Sequence, residues 1–291
     1  IYFDIRKGEW WAEMLDFIGL DPAVLPEIKN SGEIVGSCGS MTVSTGAIDQ
    51  IAGAIGAGVI KPGIVSEMTG TTMVLFVPSE KIPAYHPESK IPCHASYDGK
   101  YCLLSWTPTA GIALKWFKNN FCEDFTFRQL DELAETVPAG SSGLTFLPYL
   151  CGSTMPKYNP DARGAFYGLT MEHTRAHAVR SILEAVACML RSNLEYLGLA
   201  VSEIRSMGGG AQSPLWCQMK ADMIGKQIVT LKNDETACLG SAILAGVASG
   251  VFDSVESACR KAVAVNKTYL PCGTDYTECY RRFCELEEKN V

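Results

Sequence analysis

Three short stretches combine small residues, hydroxyls and a carboxylate in patterns suited to holding a phosphate or moving a proton. The sharpest is Met207-Gly208-Gly209-Gly210-Ala211-Gln212-Ser213-Pro214-Leu215-Trp216. A β-rich run ends there, the glycines turn the chain, and a helix opens with Ser213 placed to cap it and Pro214 at its first position. Glycines let the backbone approach a ligand with no Cβ between them. The unpaired N–H groups of a helix N-terminus suit a phosphate. A tight strand-to-helix turn with no ligand fits the bare motif equally well. The Gly-Lys-Ser/Thr ending of a P-loop and the GxGxxG dinucleotide spacing are both absent.

The second stretch is Thr69-Gly70-Thr71-Thr72, set between two β-rich runs. Its hydroxyls and backbone N–H groups can hold phosphate oxygens with neutral donors. Taken alone, an ordinary hairpin turn is the commoner reading. In the third, Gly46-Ala47-Ile48-Asp49-Gln50, an extended run hands over to a small-residue helix. Asp49 can act there as a general base, taking a proton from a hydroxyl that attacks a phosphoryl group. Asp is also a good helix N-cap, and spacing alone favours the cap. Gly111 opens another helix, and Glu235 precedes Thr236-Ala237-Cys238-Leu239-Gly240. Close packing is the default reading of both.

The elements that must position these residues read as follows. Residues 1–36 give a helix ended by Gly19, then an extended exit through Leu25-Pro26. Residues 41–47 are strand-like and feed a helix from Asp49 to about Gly58. Residues 64–69 and 73–77 form a hairpin, and 110–120 and 126–135 are helical. The Gly-, Pro- and Ser-rich 137–170 region is a long structured loop. A long amphipathic helix follows, with Val179, Ile182, Leu183, Val186, Leu190, Leu194 and Leu197 on one face and Gly198 closing it. A strand at 203–207, a helix at 213–224, a strand at 227–231, a helix at 235–247 and two final helices complete the chain. Strands that come first as a meander and then alternate with helices predict an α/β domain with a mixed sheet covered by helices.

The 291 residues are 47% hydrophobic, enough for one large core or two modest ones. A net charge of −7 with scattered acidic residues argues against non-specific binding to nucleic acid or anionic membrane. No apolar run reaches the ~20 residues of a membrane span. The twelve cysteines form no CxxC pair, and Cys188, Cys217 and Cys238 sit in helical patterns beside Ala and Met. That usage predicts core thiols, reduced, in the cytoplasm. His173 and His177 are four apart but lack a third ligand, so no metal site is predicted.

In order, these motifs resemble the FGGY carbohydrate kinases, the group containing xylulokinase, gluconokinase, ribulokinase and glycerol kinase. The resemblance runs through Trp10…Leu25-Pro26…Gly36, Gly46–Gln50, Gly70-Thr71-Thr72, Gly111…Trp116 and Arg163-Gly164…Gly168-Leu169-Thr170. It continues through Arg180…Glu184, Gly208–Ala211…Trp216…Gln218 and Glu235…Gly240…Ala245-Gly246. It implies an actin-like ATPase (ribonuclease-H-like) domain that closes over ATP with Mg²⁺. By resemblance, Asp49 is the catalytic base and, with Gln50, meets the sugar. Gly70, Thr71, Thr72, Gly111, Gly209, Gly210, Ala211, Ser213 and Leu215 hold the nucleotide. The Ser-Pro-Leu-Trp wording after the glycines looks more like xylulokinase than glycerol kinase.

Three departures accompany the resemblance. The family opens with a sugar-binding domain carrying an Asp-x-Gly-Thr loop that has no match here, so residues 1–36 are read as the tail of that missing N-terminal domain and 37–291 as the ATP-binding one. The Ser37–Ser40 connection is shorter than the family pattern, and Cys151-Gly-Ser-Thr-Met-Pro156 replaces Gly-Glu-Arg-Thr-Pro. The expected function is ATP-dependent phosphorylation of a sugar hydroxyl, xylulokinase-like, with this half inactive or nearly so alone. The alternatives are a non-catalytic or degenerate actin-like nucleotide-binding module, or a kinase for gluconate, ribulose or fuculose. A homodimer is compatible with the sequence but not specified by it.

Overall fold

The computed structural model describes residues 2–84, 91–155, 157–198 and 200–290. Its centre is a seven-stranded sheet. In spatial order the strands are Val265–Tyr269, Gln227–Leu231, Glu203–Met207, Ile64–Thr69, Met73–Ser79, Tyr101–Thr107 and Cys93–Ala95. Glu203–Met207 lies parallel to both neighbours, and the remaining pairings are antiparallel. A meander of three strands, with two parallel strands added beyond its first member, is the ribonuclease-H-like arrangement of actin-like ATPases. The Pro214–Ile224 helix makes the crossover that a parallel pair requires.

Side chains alternate between two cores, as strand pleating dictates. Leu75, Val77, Leu103, Ile204 and Ile228 face one, under the helices Gly111–Phe121, Phe127–Glu135, Arg175–Leu197, Pro214–Ile224 and Thr277–Asn290. Phe76, Cys102, Met207, Val229 and Leu231 face the other, under Asp49–Gly56, Thr236–Ala248 and Val255–Ala262. The Arg175–Leu197 helix buries the predicted stripe from Val179 to Leu194, leaves Leu197 half-buried, and ends at Gly198, φ +60°. Beneath it, Arg180 and Glu184 form a buried ion pair at 2.9 Å; Glu184 also accepts from Gly140 N–H and Ser141 Oγ, each at 2.8 Å.

Asp49–Gly56 and Thr236–Ala248 cross almost backbone to backbone. A Cβ on Gly56 would fall 1.8 Å from the Thr236 carbonyl oxygen, and one on Gly240 would fall 1.8 Å from that of Ala52. Close packing is thus what the small residues after Glu235 provide.

Several expectations need correction. The 137–170 loop contains an antiparallel hairpin, Thr145–Leu147 with Ala165–Tyr167. A strand, Val265–Tyr269, separates the two final helices. Met41–Ser44 pairs with Ile34–Cys38 in a separate hairpin, so Ser37-Cys38 of the short connection belongs to its first strand and Gly39-Ser40 is its turn. Cys188 and Cys217 are buried, but Cys238 is exposed because its side of the helix faces out. Within 2–48 the helix is Ala12–Ile18, ended by Gly19 at φ +67°, and Leu15 is the buried residue of that segment. Pro156 of the Cys151–Pro156 stretch lies outside the described residues.

Candidate active site

The Gly70-Thr71-Thr72 turn joins Ile64–Thr69 to Met73–Ser79 and is closed by Gly70 N–H donating to the Thr72 carbonyl at 2.9 Å. It is held from two sides. On one, Ala110 and Ile112 N–H groups at the start of the Gly111–Phe121 helix donate to the Thr71 carbonyl at 3.1 and 3.2 Å. The helix start approaches so closely that a Cβ on Gly111 would lie 2.3 Å from the Gly70 carbonyl oxygen. On the other side stands the glycine turn. Gly208, φ +75°, would place a Cβ 3.0 Å from the Thr69 carbonyl oxygen, and Gly210 would place one 2.7 Å from the Thr69 Cβ.

These distances separate two kinds of glycine. Gly111, Gly208 and Gly210 are required by backbone packing. Gly70 has nothing within 4 Å of its would-be Cβ, and Gly209, exposed, meets just the Thr69 carbonyl oxygen at 4.0 Å. Packing does not explain these two, and they border open space.

The helix after the glycines starts as the sequence predicts. Ser213 Oγ accepts from Trp216 N–H at 3.0 Å with Pro214 at the first position. Trp216 Nε1 donates to the Leu183 carbonyl at 2.9 Å, and Leu215 packs on the larger core. Ala211, half-buried, shares with Gln212 the wall of a polar cavity of about 230 Å³ at the carboxyl ends of Glu203–Met207 and Gln227–Leu231. Gln212 Nε2 donates to Asp234 Oδ2 at 3.0 Å on its rim.

Asp49 is the first residue of its helix, not the cap. The cap position belongs to Ile48, which offers no side-chain bond. The Asp49 carboxylate is exposed and accepts from Gln50 N–H at 2.9 Å, with Gln50 itself half-buried. Its tie to the glycine turn is indirect: Gly53, one helical turn on, faces Thr236 Oγ1, which lies 3.3 Å from Met207 Sδ, the residue before Gly208. The structure thus assembles Gly70, Thr71, Thr72, Gly111, Gly209 and Gly210, with Ala211 and Ser213 following. Asp49 and Gln50 stand at the start of a neighbouring helix, and among the described residues their side chains make no hydrogen bond to that group.

A buried ionic network under the turn has no counterpart in the sequence motifs. Lys220 Nζ donates to both Glu67 carboxylate oxygens at 3.0 Å and lies 3.1 Å from Thr69 Oγ1. Ser206 Oγ donates to Glu67 Oε2 at 2.6 Å, and the Thr69 hydroxyl donates to Oε1. Its sequence signal was a charge at two otherwise apolar positions, Glu67 in a buried strand and Lys220 in a helix between Met219 and Ala221. His173 and His177 accept backbone N–H groups of Thr170 and Thr174 through Nδ1, at 2.9 and 3.2 Å. Among the described residues no three His, Cys, Asp or Glu side chains gather as a metal site, and no helix is long and apolar enough to cross a membrane.

The sequence profile described as "FGGY family of carbohydrate kinases, C-terminal domain" matches residues 67–249, from Glu67 through both turns. This chain belongs to the FGGY family of carbohydrate kinases. Xylulose kinase of Bacillus subtilis (strain 168) is 30% identical over 282 residues, covering 92% of this chain and 56% of that protein. Gluconokinase of the same strain is 31% identical over 279 residues, covering 87% and 54%. The structure of ligand-bound xylulose kinase from Lactobacillus acidophilus superposes with a TM-score of 0.92 at 24% identity, over 99% of this chain and 62% of that one, which fixes the fold. The FGGY chain described here therefore spans a little over half the length of these relatives.

Proposed function

We propose that a protein carrying this FGGY domain transfers the γ-phosphoryl group of ATP to a hydroxyl of a small sugar, with a ketopentose as the first candidate. The observation that carries this reading is the convergence of the Gly70-Thr71-Thr72 turn, the helix start at Gly111 and the Gly208–Gly210 turn around Thr69. The Gly70–Thr72 and Gly208–Gly210 turns, braced by the helix start at Gly111 and free of intruding Cβ atoms, form a cradle for phosphate oxygens. Thr71 and Thr72 add hydroxyls, and Gly70 and Gly209 leave the approach open.

Asp49 serves as the base. Its carboxylate is exposed and not used as a cap, so it is free to accept the proton of the attacking hydroxyl. Gln50 orients the same hydroxyl. Magnesium supplies charge neutralisation on the transferring phosphoryl group when bound. Such an ion is commonly held by one or two carboxylates plus nucleotide phosphates, and the Glu67 carboxylate nearest the turn is committed to Lys220, Ser206 and Thr69. Nucleotide phosphates, rather than Glu67, would then hold the ion at this turn.

The sugar itself is bound mainly by an N-terminal domain preceding residues 1–36, and the 291-residue chain alone is inactive or nearly so. Relatives named xylulose kinase and gluconokinase stand at 30% and 31% identity, so identity does not choose between a ketopentose and a sugar acid. The test is sugar-dependent ATP consumption, with Asp49→Asn as control. Turnover lost in the variant supports the kinase; ATP binding without turnover on any sugar supports the non-catalytic module instead.

A further inference from the structure

Glu67 and Lys220 are both fully buried. Removing an ion pair from water costs several kcal/mol per ion, and apolar replacements of similar volume are often neutral or stabilising. Net stability is therefore a poor reason for this pair, whereas its geometry is specific. The carboxylate comes from Ile64–Thr69, the ammonium from Pro214–Ile224, and the two hydroxyls from Thr69 and from Ser206 on the neighbouring parallel strand. Thr69 is the last residue before Gly70. Ser206 is two residues before Gly208. Lys220 also reaches the second turn, since a Cβ on Gly210 would lie 3.3 Å from its Nζ.

We propose that Lys220 and Glu67 are positioning residues for the phosphate cradle: the buried ammonium, gripped by both carboxylate oxygens, fixes Thr69 Oγ1 and with it the relative placement of the Gly70–Thr72 and Gly208–Gly210 turns. The inference rests on the nucleotide reading of that site. The parallel ladder between the two strands ends at the Met68–Met207 pair. Beyond it the backbone bonds join each turn to itself or to the Gly111 helix start: Gly70 N–H to Thr72, Ala110 and Ile112 N–H to Thr71, and Ala211 N–H to the Gly208 carbonyl. The network sets one turn against the other, and a phosphate spanning both needs that spacing held to a few tenths of an ångström.

The experiment compares this chain with Glu67→Gln/Lys220→Met, which keeps side-chain volume and leaves no buried charge unpaired. Three quantities are read: melting temperature, ADP dissociation constant by calorimetry, and amide hydrogen exchange at residues 70–72 and 208–211. The expected result is a melting temperature within a few degrees of the parent, faster exchange in both turns, and ADP affinity lowered about tenfold or more. Thr69→Val cuts the hydroxyl link from the turn to the Lys220 ammonium and the Glu67 carboxylate while leaving both charges paired, and is expected to weaken ADP likewise, with Thr69→Ser restoring it. ADP binding within about twofold of the parent in both the double variant and Thr69→Val would overturn the proposal. A parent that binds no ADP would overturn the nucleotide reading first and this one with it.

Discussion

Asp49 stands at the first position of its helix with its carboxylate exposed. Ile48 occupies the cap position, and one Asp49 oxygen accepts the Gln50 N–H, which leaves the other for the proton of an attacking hydroxyl. Asp49→Asn is expected to lower sugar-dependent turnover about 10²–10⁴-fold while leaving the melting temperature and ADP affinity unchanged. A lower melting temperature would assign Asp49 to structure. The sequence alone cannot separate a base from a cap at Asp49, and the glycines show the same limit. All look alike in sequence, yet Gly111→Ala drives a methyl against the Gly70 carbonyl and is expected to cost about 1–3 kcal/mol in denaturant unfolding. Gly209→Ala enters open space and is expected to leave stability within about 0.5 kcal/mol while weakening ADP binding. Equal effects of the two variants on stability would refute this division.

At the scale of elements, the interior strands were readable because burial demands β-branched and apolar residues there. Ile64–Thr69, Met73–Ser79, Glu203–Met207 and Gln227–Leu231 all carry that pattern. The interior Tyr101–Thr107 was missed, because Cys102-Leu103-Leu104 is a short apolar run with no strict alternation. Most strands missed from sequence lie at the sheet edges or outside the sheet, where nothing requires hydrophobic alternation. Val265–Tyr269 is exposed at all but its last residue, Cys93–Ala95 has three residues, and Ile34–Cys38 is exposed throughout. The Glu67–Lys220 network escaped because partners 153 positions apart carry no local signal. Helix packing supplies a further test: Gly240→Ala should force Thr236–Ala248 off Asp49–Gly56 and cost about 1–3 kcal/mol or more, displacing Asp49 with it. In the final helix, burial holds the Glu287 carboxyl above its ordinary 4.5, against the lowering effect of the Tyr149 hydroxyl that donates to it. The folded state then binds more protons than the unfolded chain just above pH 4.5, so this group's contribution to stability falls as pH rises through that window. Glu287→Gln is expected to flatten that slope in denaturant unfolding followed across the window; an unchanged slope would contradict it.

For the whole molecule, the sheet order follows from the hairpin, the parallel crossover and the two helical layers, and these were mostly visible in the alternation of strands and helices. Substrate choice was not. The segment 2–48 buries Leu15 alone and exposes Phe17, Val24, Ile34, Val35, Met41 and Val43, so it contributes little to the cores and nothing to the phosphate cradle. Sugar contacts depend on side chains beyond that cradle. The central claim is that this FGGY domain supplies the nucleotide cradle and the base of a sugar kinase. Its most direct test is an ATP-consumption screen of the protein carrying the proposed N-terminal sugar domain together with this chain, against D-xylulose, L-ribulose, D-gluconate, glycerol and L-fuculose, alongside Asp49→Asn. The account predicts turnover with one sugar, lost in the variant, and none from the 291-residue chain alone. Turnover that survives Asp49→Asn, or a folded, ATP-binding protein that phosphorylates none of these sugars, would contradict it.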